Sequence, residues 1–360
     1  MAVAVHPEDC RTPTSAEIDG AVDATVTWFA SNLDNGGQFL YRYDRDRRVD
    51  EGGYNEPRHA GVLWSLYQAE GEGVNGAAAV ADSGLVWALE RIQATPIGPA
   101  FGRGTRLQTG SSALLLAALD ERRRVTGDTT HDPLMIDLAG TLVATIGDDG
   151  ALDATIDREL GPIPDRSPFY PGEALWALSR VHLTFPTEGF DRAALRLAEY
   201  LVESRDEVER PWPPISDHWA AYAFETMDRW PVSPIPTPGT DSWIERQLDL
   251  FGLQIRYESQ RVGGITILTR GHDAVAAGVG TLGEGFGNWL ELDRRTGFLG
   301  SDRDVVLERG ACTVGLLVER QVREDDPLTH GAWFRLGDTQ MDDQQHALSA
   351  LLLMKGHLGG

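Results

Sequence analysis

Apolar positions recur along the chain in two patterns. In one set of segments, residues 58–67, 111–119, 172–178, 217–224 and 346–353, Ala, Leu and Trp fill nearly every position around a helical turn. Helices of that composition bury more than one face. A second set, residues 16–31, 79–91, 133–146, 192–203 and 243–257, keeps its charges on one side, as an outer layer does. Two further helices are predicted over 273–280 and 312–322 and belong with the buried set. The buried helices recur at intervals of about 35 to 60 residues, which suggests stacked helix hairpins. At roughly 30 residues per helix with its loop, 360 residues hold about twelve helices.

A second repeat accompanies the helices. Gly-x-aromatic or Gly-x-Leu stretches occur at 36–41, 149–152, 296–299 and 330–334. Phe39, Tyr41 and Tyr43 alternate, the pattern of a short strand. Aromatic-bearing loops or hairpins are therefore expected at one end of the helix pack. This alternation of outer and inner helices, with Gly-aromatic turns, resembles the (α/α) toroid proteins: six-hairpin glycosidases, polysaccharide lyases, N-acylglucosamine and cellobiose 2-epimerases, terpenoid cyclases and protein prenyltransferases. The resemblance implies an all-α fold, an (α/α)6-type toroid of helix hairpins with short β-hairpin loops at one end. An open helical solenoid and an irregular bundle are the alternatives; the uniformly apolar inner helices and aromatic loops favour the toroid. The Pro-rich stretch 211–238 reads as an ordered loop around one hairpin, so a single domain over 1–360 is expected.

Charge narrows the surroundings. The formal net charge is −23, and Lys355 is the only lysine. Such a chain repels phosphate and has no basic stripe, so nucleic acid is not an expected partner. An acidic, Lys-poor surface suits molar salt, where carboxylates stay hydrated and self-repulsion is screened; GC-rich codon bias also favours Arg over Lys. No apolar run reaches the roughly 18 residues of a membrane span. Residues 1–14, with His6, Pro7, Glu8 and Asp9, show no basic n-region or apolar h-region, so a secretory signal is not expected and a cytoplasmic chain is. Cys10 and Cys312 form no close-spaced pair: a disulfide framework and a two-thiolate zinc site are excluded, and Cys312 is expected to pack as a small apolar residue. No metal and no cofactor is expected, and the sequence does not speak to oligomeric state.

Candidate chemistry gathers where loops enter the inner helices, which in a toroid surround a central cavity. These residues are Tyr54, Asn55, Glu56, Arg58 and His59; Phe169, Tyr170, Pro171 and Glu173; Asp217, His218 and Trp219; and Asp338, Gln340, Asp342, Asp343 and His346. Helix starts favour carboxylates and anions, and Asp217, Asp342 and Ser111 also read as N-caps. Imidazoles at His59, His218 and His346 suit proton transfer, with a core role the alternative for His59 and His346. Arg58 suits a carboxylate or an enediolate oxygen. The segment 173–178, and His346 followed by apolar residues, are similar to helices of the sugar 2-epimerases, which implies two His as acid and base. A glycosidase would instead use Glu173, raised in pKa by burial, with one of Asp217, Asp338, Asp342 or Asp343; pairing of a buried Glu173 with an Arg is the alternative. The expected catalytic set is His59, Glu173, His346 and Asp217. The expected substrate-binding set is Tyr54, Arg58, Tyr170, His218, Trp219, Trp333, Asp338 and Asp342.

Trp64, Trp87 and Trp176 lie within helices and read as core. Trp212, Trp219, Trp230 and Trp333 lie in loops or at helix starts, where rings can stack on sugars or line an apolar cavity. The segment 263–271 reads as a strand and turn, not a phosphate loop, and there is no Gly-x-Ser-x-Gly elbow. The expected function is a carbohydrate-active enzyme using acid/base side chains in an aromatic-lined cavity, as a hydrolase, lyase or epimerase acting on a small-molecule or oligosaccharide substrate. The alternatives are a terpenoid- or prenyl-processing toroid enzyme and a non-catalytic helical glycan-binding scaffold.

Overall fold

The apolar-all-round segments form helices whose faces are all covered, and the amphipathic segments form helices packed against them. A computed structural model describes residues 10–209, 215–235, 238–261 and 271–359. Trp212 and all but the last residue of the 263–271 segment, read above as a loop aromatic and a strand and turn, lie outside the described residues, as does the stretch 1–9. The chain divides into two compact units: a central unit from Leu33–Tyr41 and Gly52–Ile244, and a terminal unit from the chain up to Asn32, Arg42–Glu51 and Glu245 onward.

In the central unit, α2 (Glu56–Gly71), α4 (Thr109–Thr126), α6 (Tyr170–Thr184) and α9 (His218–Asp228) pack one on the next in chain order. Against them lie α3 (Ala77–Leu89), α5 (Asp132–Ala144) and α7 (Phe190–Glu203), followed by the short α8 (Arg205–Val208). Strands β3 (Ile92–Thr95) and β4 (Gly98–Phe101) form an antiparallel hairpin. Strands β5 (Arg106–Gln108), β6 (Thr155–Asp157) and β7 (Gly161–Ile163) form a three-stranded sheet, with Gln108 opposite Thr155. Strand β5 runs directly into α4, so its side chains sit at that helix's start.

The terminal unit holds α1 (Ser15–Ser31), most of α10 (Pro238–Ser259), α11 (Ala276–Thr296), α12 (Arg303–Arg320) and α13 (Met341–Leu358). Its sheet has the order β2 (Val49–Asp50), β1 (Arg42–Asp44), β8 (Asp338–Gln340), with Tyr43 opposite Thr339. Of the expected Phe39–Tyr43 strand, the residues from Arg42 form β1, whereas Phe39 makes an isolated bridge to Leu33. The start of α1 is fixed by a capping box: Thr14 accepts from the Glu17 N–H, and Glu17 accepts from the Thr14 N–H.

The Gly-aromatic repeat has a local cause. After α1 and after α5 the chain makes the same turn, closed by the bridges Leu33–Phe39 and Ile146–Leu152. Each turn carries a glycine at φ +82°, Gly37 and Gly150, in the left-handed region that side chains disfavour. A Cβ there would also lie 2.6 Å from the Ser83 carbonyl oxygen, or 2.7 Å from that of Arg196. The glycine reverses the chain so that Phe39 and Leu152 turn into the core.

Two expectations are corrected. Cys10 and Cys312 are joined in a disulfide across a sequence separation of 302 residues; residues far apart in the chain are brought together by folding, which spacing could not show. The buried helix expected over 273–280 continues to Thr296, and the one expected over 312–322 starts earlier, at Arg303. Among the described residues, no helix is long and apolar enough to cross a membrane.

Candidate functional site

In the central unit the start of α6 carries a carboxyl whose chemistry burial alters. Pro171 occupies the first turn, where its missing N–H costs no hydrogen bond. Glu173 follows, 5% exposed, with its Oε2 buried and without a hydrogen-bond partner. Burial, and then the charge of Asp217, push its carboxyl up to about 8, so at neutral pH it holds its proton. Two glycines make room for Glu173 and Asp217. A Cβ on Gly110 of α4 would lie 2.2 Å from Glu173 Oε2 and 2.4 Å from the Tyr170 ring, and one on Gly172 would lie 2.5 Å from Asp217 Oδ1.

Asp217 is the N-cap of α9, accepting from the Ala220 N–H at 3.0 Å, as the sequence suggested. Its other oxygen is ion-paired with Arg205, and both side chains are fully buried. Arg205 was not recognised from the sequence, because nothing in its local pattern marks an arginine that folding buries. In the same helices the rings of Trp176 and Trp219 stack at 5.2 Å, and Trp64 and Tyr222 lie against Trp176. Trp219 is 3% exposed and His218 is buried with its ring 4.5 Å from that of Trp219, so neither lies open at a rim.

His59 lies inside the core. Its Nε2 bonds the Gly84 carbonyl at 3.0 Å and its Nδ1 bonds the Tyr54 hydroxyl at 2.6 Å. A carbonyl only accepts, so Nε2 carries the hydrogen and Nδ1 accepts from Tyr54, which itself accepts from the Phe39 N–H. Burial lowers the His59 pKa to about 3, and the ring stays neutral. Arg58, one residue earlier, donates to the Tyr41 hydroxyl at 2.6 Å.

A cavity of about 340 Å³ opens at the starts of α2 and α4, lined by Tyr54, Asn55, Arg103, Arg106, Gln108 and Ser111 among others. Ser111 is not an N-cap: Gln108 holds that position, without a side-chain bond, and Ser111 lies inside the first turn.

In the terminal unit, α13 begins with a capping box between Gln340 and Asp343, so Asp342, read above as an N-cap, lies within the helix instead. Asp343 accepts from the Ala277 N–H at 2.9 Å and from the Gln340 N–H at 3.0 Å. Burial, and then the charge of Asp342, push it up to about 7. His346 lies 2.7 Å from Glu284 Oε2 through Nδ1. Burial alone would lower its pKa, but the Glu284 carboxylate, with Asp342 and Asp343 adding to it, raises it above the ordinary histidine value. Glu284 was missed in the sequence because it sits between Gly283 and Gly285, in a stretch with little helical signal. Trp333 is 3% exposed and donates from Nε1 to the Leu317 carbonyl at 2.7 Å. Asp338 lies on β8 and pairs with Arg42 at 3.3 Å. Asp44, Glu51 and Asp338 place carboxylate oxygens within 4.8 Å of one another, but Arg42 and Arg47 already reach into that group.

Within each unit the sequence-predicted residues gather as follows. Glu173 and Asp217 adjoin at the starts of α6 and α9, with Tyr170 against the same turn of α4. Tyr54 and His59 form a chain of hydrogen bonds. His346, Asp342 and Asp343 share the start of α13.

No protein-family model matches the chain, and no curated protein sequence matches it. Solved structures do. A cellobiose 2-epimerase from Spirochaeta thermophila DSM 6192 is similar with a TM-score of 0.67 and 15% identity, covering 96% of this chain and 96% of that one. An unsaturated glucuronyl hydrolase specific for heparin is similar with a TM-score of 0.65 and 12% identity, covering 96% and 98%. An inactive variant of an α-1,6-mannanase from Salegentibacter sp. HEL1_6, in complex with α-1,6-mannotetrose, is similar with a TM-score of 0.63 and 12% identity, covering 96% and 100%. The protein therefore shares the all-α, (α/α)6 toroid fold of these solved structures.

Proposed function

We propose that the protein is a carbohydrate-active enzyme in which Glu173 is the general acid of glycosidic bond cleavage. The observation that carries this reading is a buried carboxyl that is protonated at neutral pH and has an unpartnered oxygen, at the start of an inner helix. Glu173 would give its proton to the glycosidic oxygen as the C–O bond breaks, and water would supply the new hydroxyl. Asp217, engaged by the α9 cap and by Arg205, would set the field that keeps Glu173 protonated. His59, with both nitrogens engaged, would hold Tyr54 and α2 in place rather than move protons. Arg58, Tyr54 and Tyr170 remain the proposed substrate contacts; Trp219, Trp333 and His218, all buried, are proposed as core packing rather than as open stacking faces. Three solved structures that act on or bind sugars, by their own descriptions, share the fold and support the substrate class.

A second reading rests on the 2.7 Å contact of His346 with Glu284. An imidazole held beside a carboxylate suits proton transfer at carbon, as in epimerisation of a reducing sugar, with Asp342 and Asp343 tuning its charge. Incubating the protein with neutral and uronic oligosaccharides in D2O separates the readings by NMR. Hydrolysis gives new reducing ends with no deuterium at C2, lost in Glu173→Gln; epimerisation gives a C2-deuterated epimer, lost in His346→Asn. Unchanged sugars throughout would contradict both.

We take residues 1–360 as one functional domain, since the likeness to single solved chains spans 96% of it. The −23 charge supports a habitat in molar salt, and a rise in Tm between 0.1 and 3 M KCl is the check. For location, the Cys10–Cys312 disulfide supports an oxidising compartment over the cytoplasm expected from the sequence.

A further inference from the structure

A chain of net charge −23 repels anions, yet the cavity at the starts of α2 and α4 gathers arginines. Arg103 is paired with Glu56 on the cavity wall. Arg106, exposed on β5, makes no ion pair among the described residues; Asp157, opposite it on β6 and outside the lining, feels its charge, and the lining's own charged side chains are two arginines and one glutamate. Two further features face the same space. Ser111, 1% exposed, lines the cavity with a buried Oγ that has no hydrogen-bond partner. The start of α4, an 18-residue helix, has no side-chain cap at Gln108, and although the Thr109 N–H bonds the Ala154 carbonyl, no carboxylate caps its positive end. Asn55, by contrast, is used up capping α2 through the Arg58 N–H. The volume of about 340 Å³ lies within the small-ligand range of roughly 300–1,000 Å³.

We propose that this cavity is a subsite for an anionic substituent of a sugar, a carboxylate or a sulfate, with Arg106 supplying the charge and Ser111 Oγ a hydrogen bond. The inference rests on the sugar-acting reading above and extends it to substrate class. Glu173 abuts the same first turn of α4, through Gly110, that presents Ser111. The guanidinium fork matches the two oxygens of a carboxylate or an edge of a sulfate. The helix end adds to the attraction without a charge of its own.

Calorimetric titration of wild-type protein, Arg106→Gln and Ser111→Ala with methyl β-glucoside, its uronate counterpart and its 6-sulfate tests the proposal. At least one anionic glycoside is expected to bind wild type about tenfold more tightly than the neutral one, the size of a charge-assisted hydrogen bond. Which anion gains tells carboxylate from sulfate. The preference should vanish in Arg106→Gln and shrink in Ser111→Ala, while the neutral glycoside binds all three proteins alike. Arg106 is exposed, and an unchanged Tm in its variant separates lost binding from lost folding. Equal binding of the three glycosides to wild type, or a preference that survives Arg106→Gln, would overturn the subsite and leave the sugar-acting reading standing. No binding of any glycoside would overturn both.

Discussion

Arg205 and Asp217 form an ion pair in which neither side chain is exposed to solvent. A buried charge deprived of its partner costs about 3–5 kcal/mol. Arg205→Met is therefore expected to lower unfolding stability by about that amount in urea titrations. Pairing it with Asp217→Asn, which keeps an N-cap acceptor but removes the orphaned charge, should restore part of the loss. A single variant as stable as wild type would show that the pair does not hold α9 in place.

The raised pKa of Glu173 makes stability depend on pH with a definite sign. Between its ordinary value of 4.5 and about 8 the folded state keeps a proton that the unfolded state has released. The unfolded state thus binds fewer protons, and stability falls as pH rises through that window, by on the order of 5 kcal/mol. Glu173→Gln cannot ionise and escapes the loss. Its Tm relative to wild type should climb from pH 5 to pH 8 and then level off. A difference that is flat with pH would show an ordinary carboxylate.

His59 behaves in the opposite sense. Its pKa is lowered to about 3, so below about pH 6.5 the unfolded state takes up a proton that the folded state refuses, and this contribution to stability is lost as pH falls from 6.5 toward 3. The ring 15N shifts of His59 should report the Nε2–H tautomer unchanged from pH 8 to pH 5. Tyr54→Phe removes the hydroxyl that joins Phe39 to His59 and is expected to cost about 1–3 kcal/mol. A His59 resonance titrating near 6.5 would place it in contact with solvent.

Along α11 the spacing of glycines is set by α13. A Cβ on Gly280 would lie 2.5 Å from the backbone carbon of His346, one on Gly283 2.7 Å from the Ala350 Cβ, and one on Gly287 2.8 Å from the Leu353 Cβ. Gly280→Ala is expected to destabilise by a few kcal/mol and to disturb His346. Gly278→Ala, whose Cβ would make only an ordinary 3.6 Å contact with Ala274, should instead stabilise by up to about 1 kcal/mol through helix propensity. Urea midpoints for the two variants give the comparison; equal effects would mean that the helices are not in close contact at His346.

These glycines also show where sequence reading succeeds and where it stops. Helices with an apolar face or an apolar girth, such as α2, α5 and α7, were legible because burial writes a 3.6-residue period into the chain. Beyond Gly280, α11 was not, because Gly283, Gly285 and Gly287 lower helix propensity and earn their place through contacts with other helices. Glu284 was hidden with them. That Glu173, Asp217 and His346 lie near the starts of buried helices could be read from the sequence. That His59 has both nitrogens engaged, that Arg205 is buried, and that Cys10 meets Cys312 all depend on long-range contacts, which leave no periodic trace.

The central claim is that Glu173 gives a proton to a departing sugar oxygen. The most direct test is kcat/KM for glycosides whose leaving groups differ in acidity, with wild type and Glu173→Gln. Dinitrophenyl glycosides leave without a proton and alkyl glycosides do not. The variant is expected to lose about 10²–10⁴-fold on alkyl glycosides and little on dinitrophenyl ones. Equal losses on both, or none on either, would contradict the assignment.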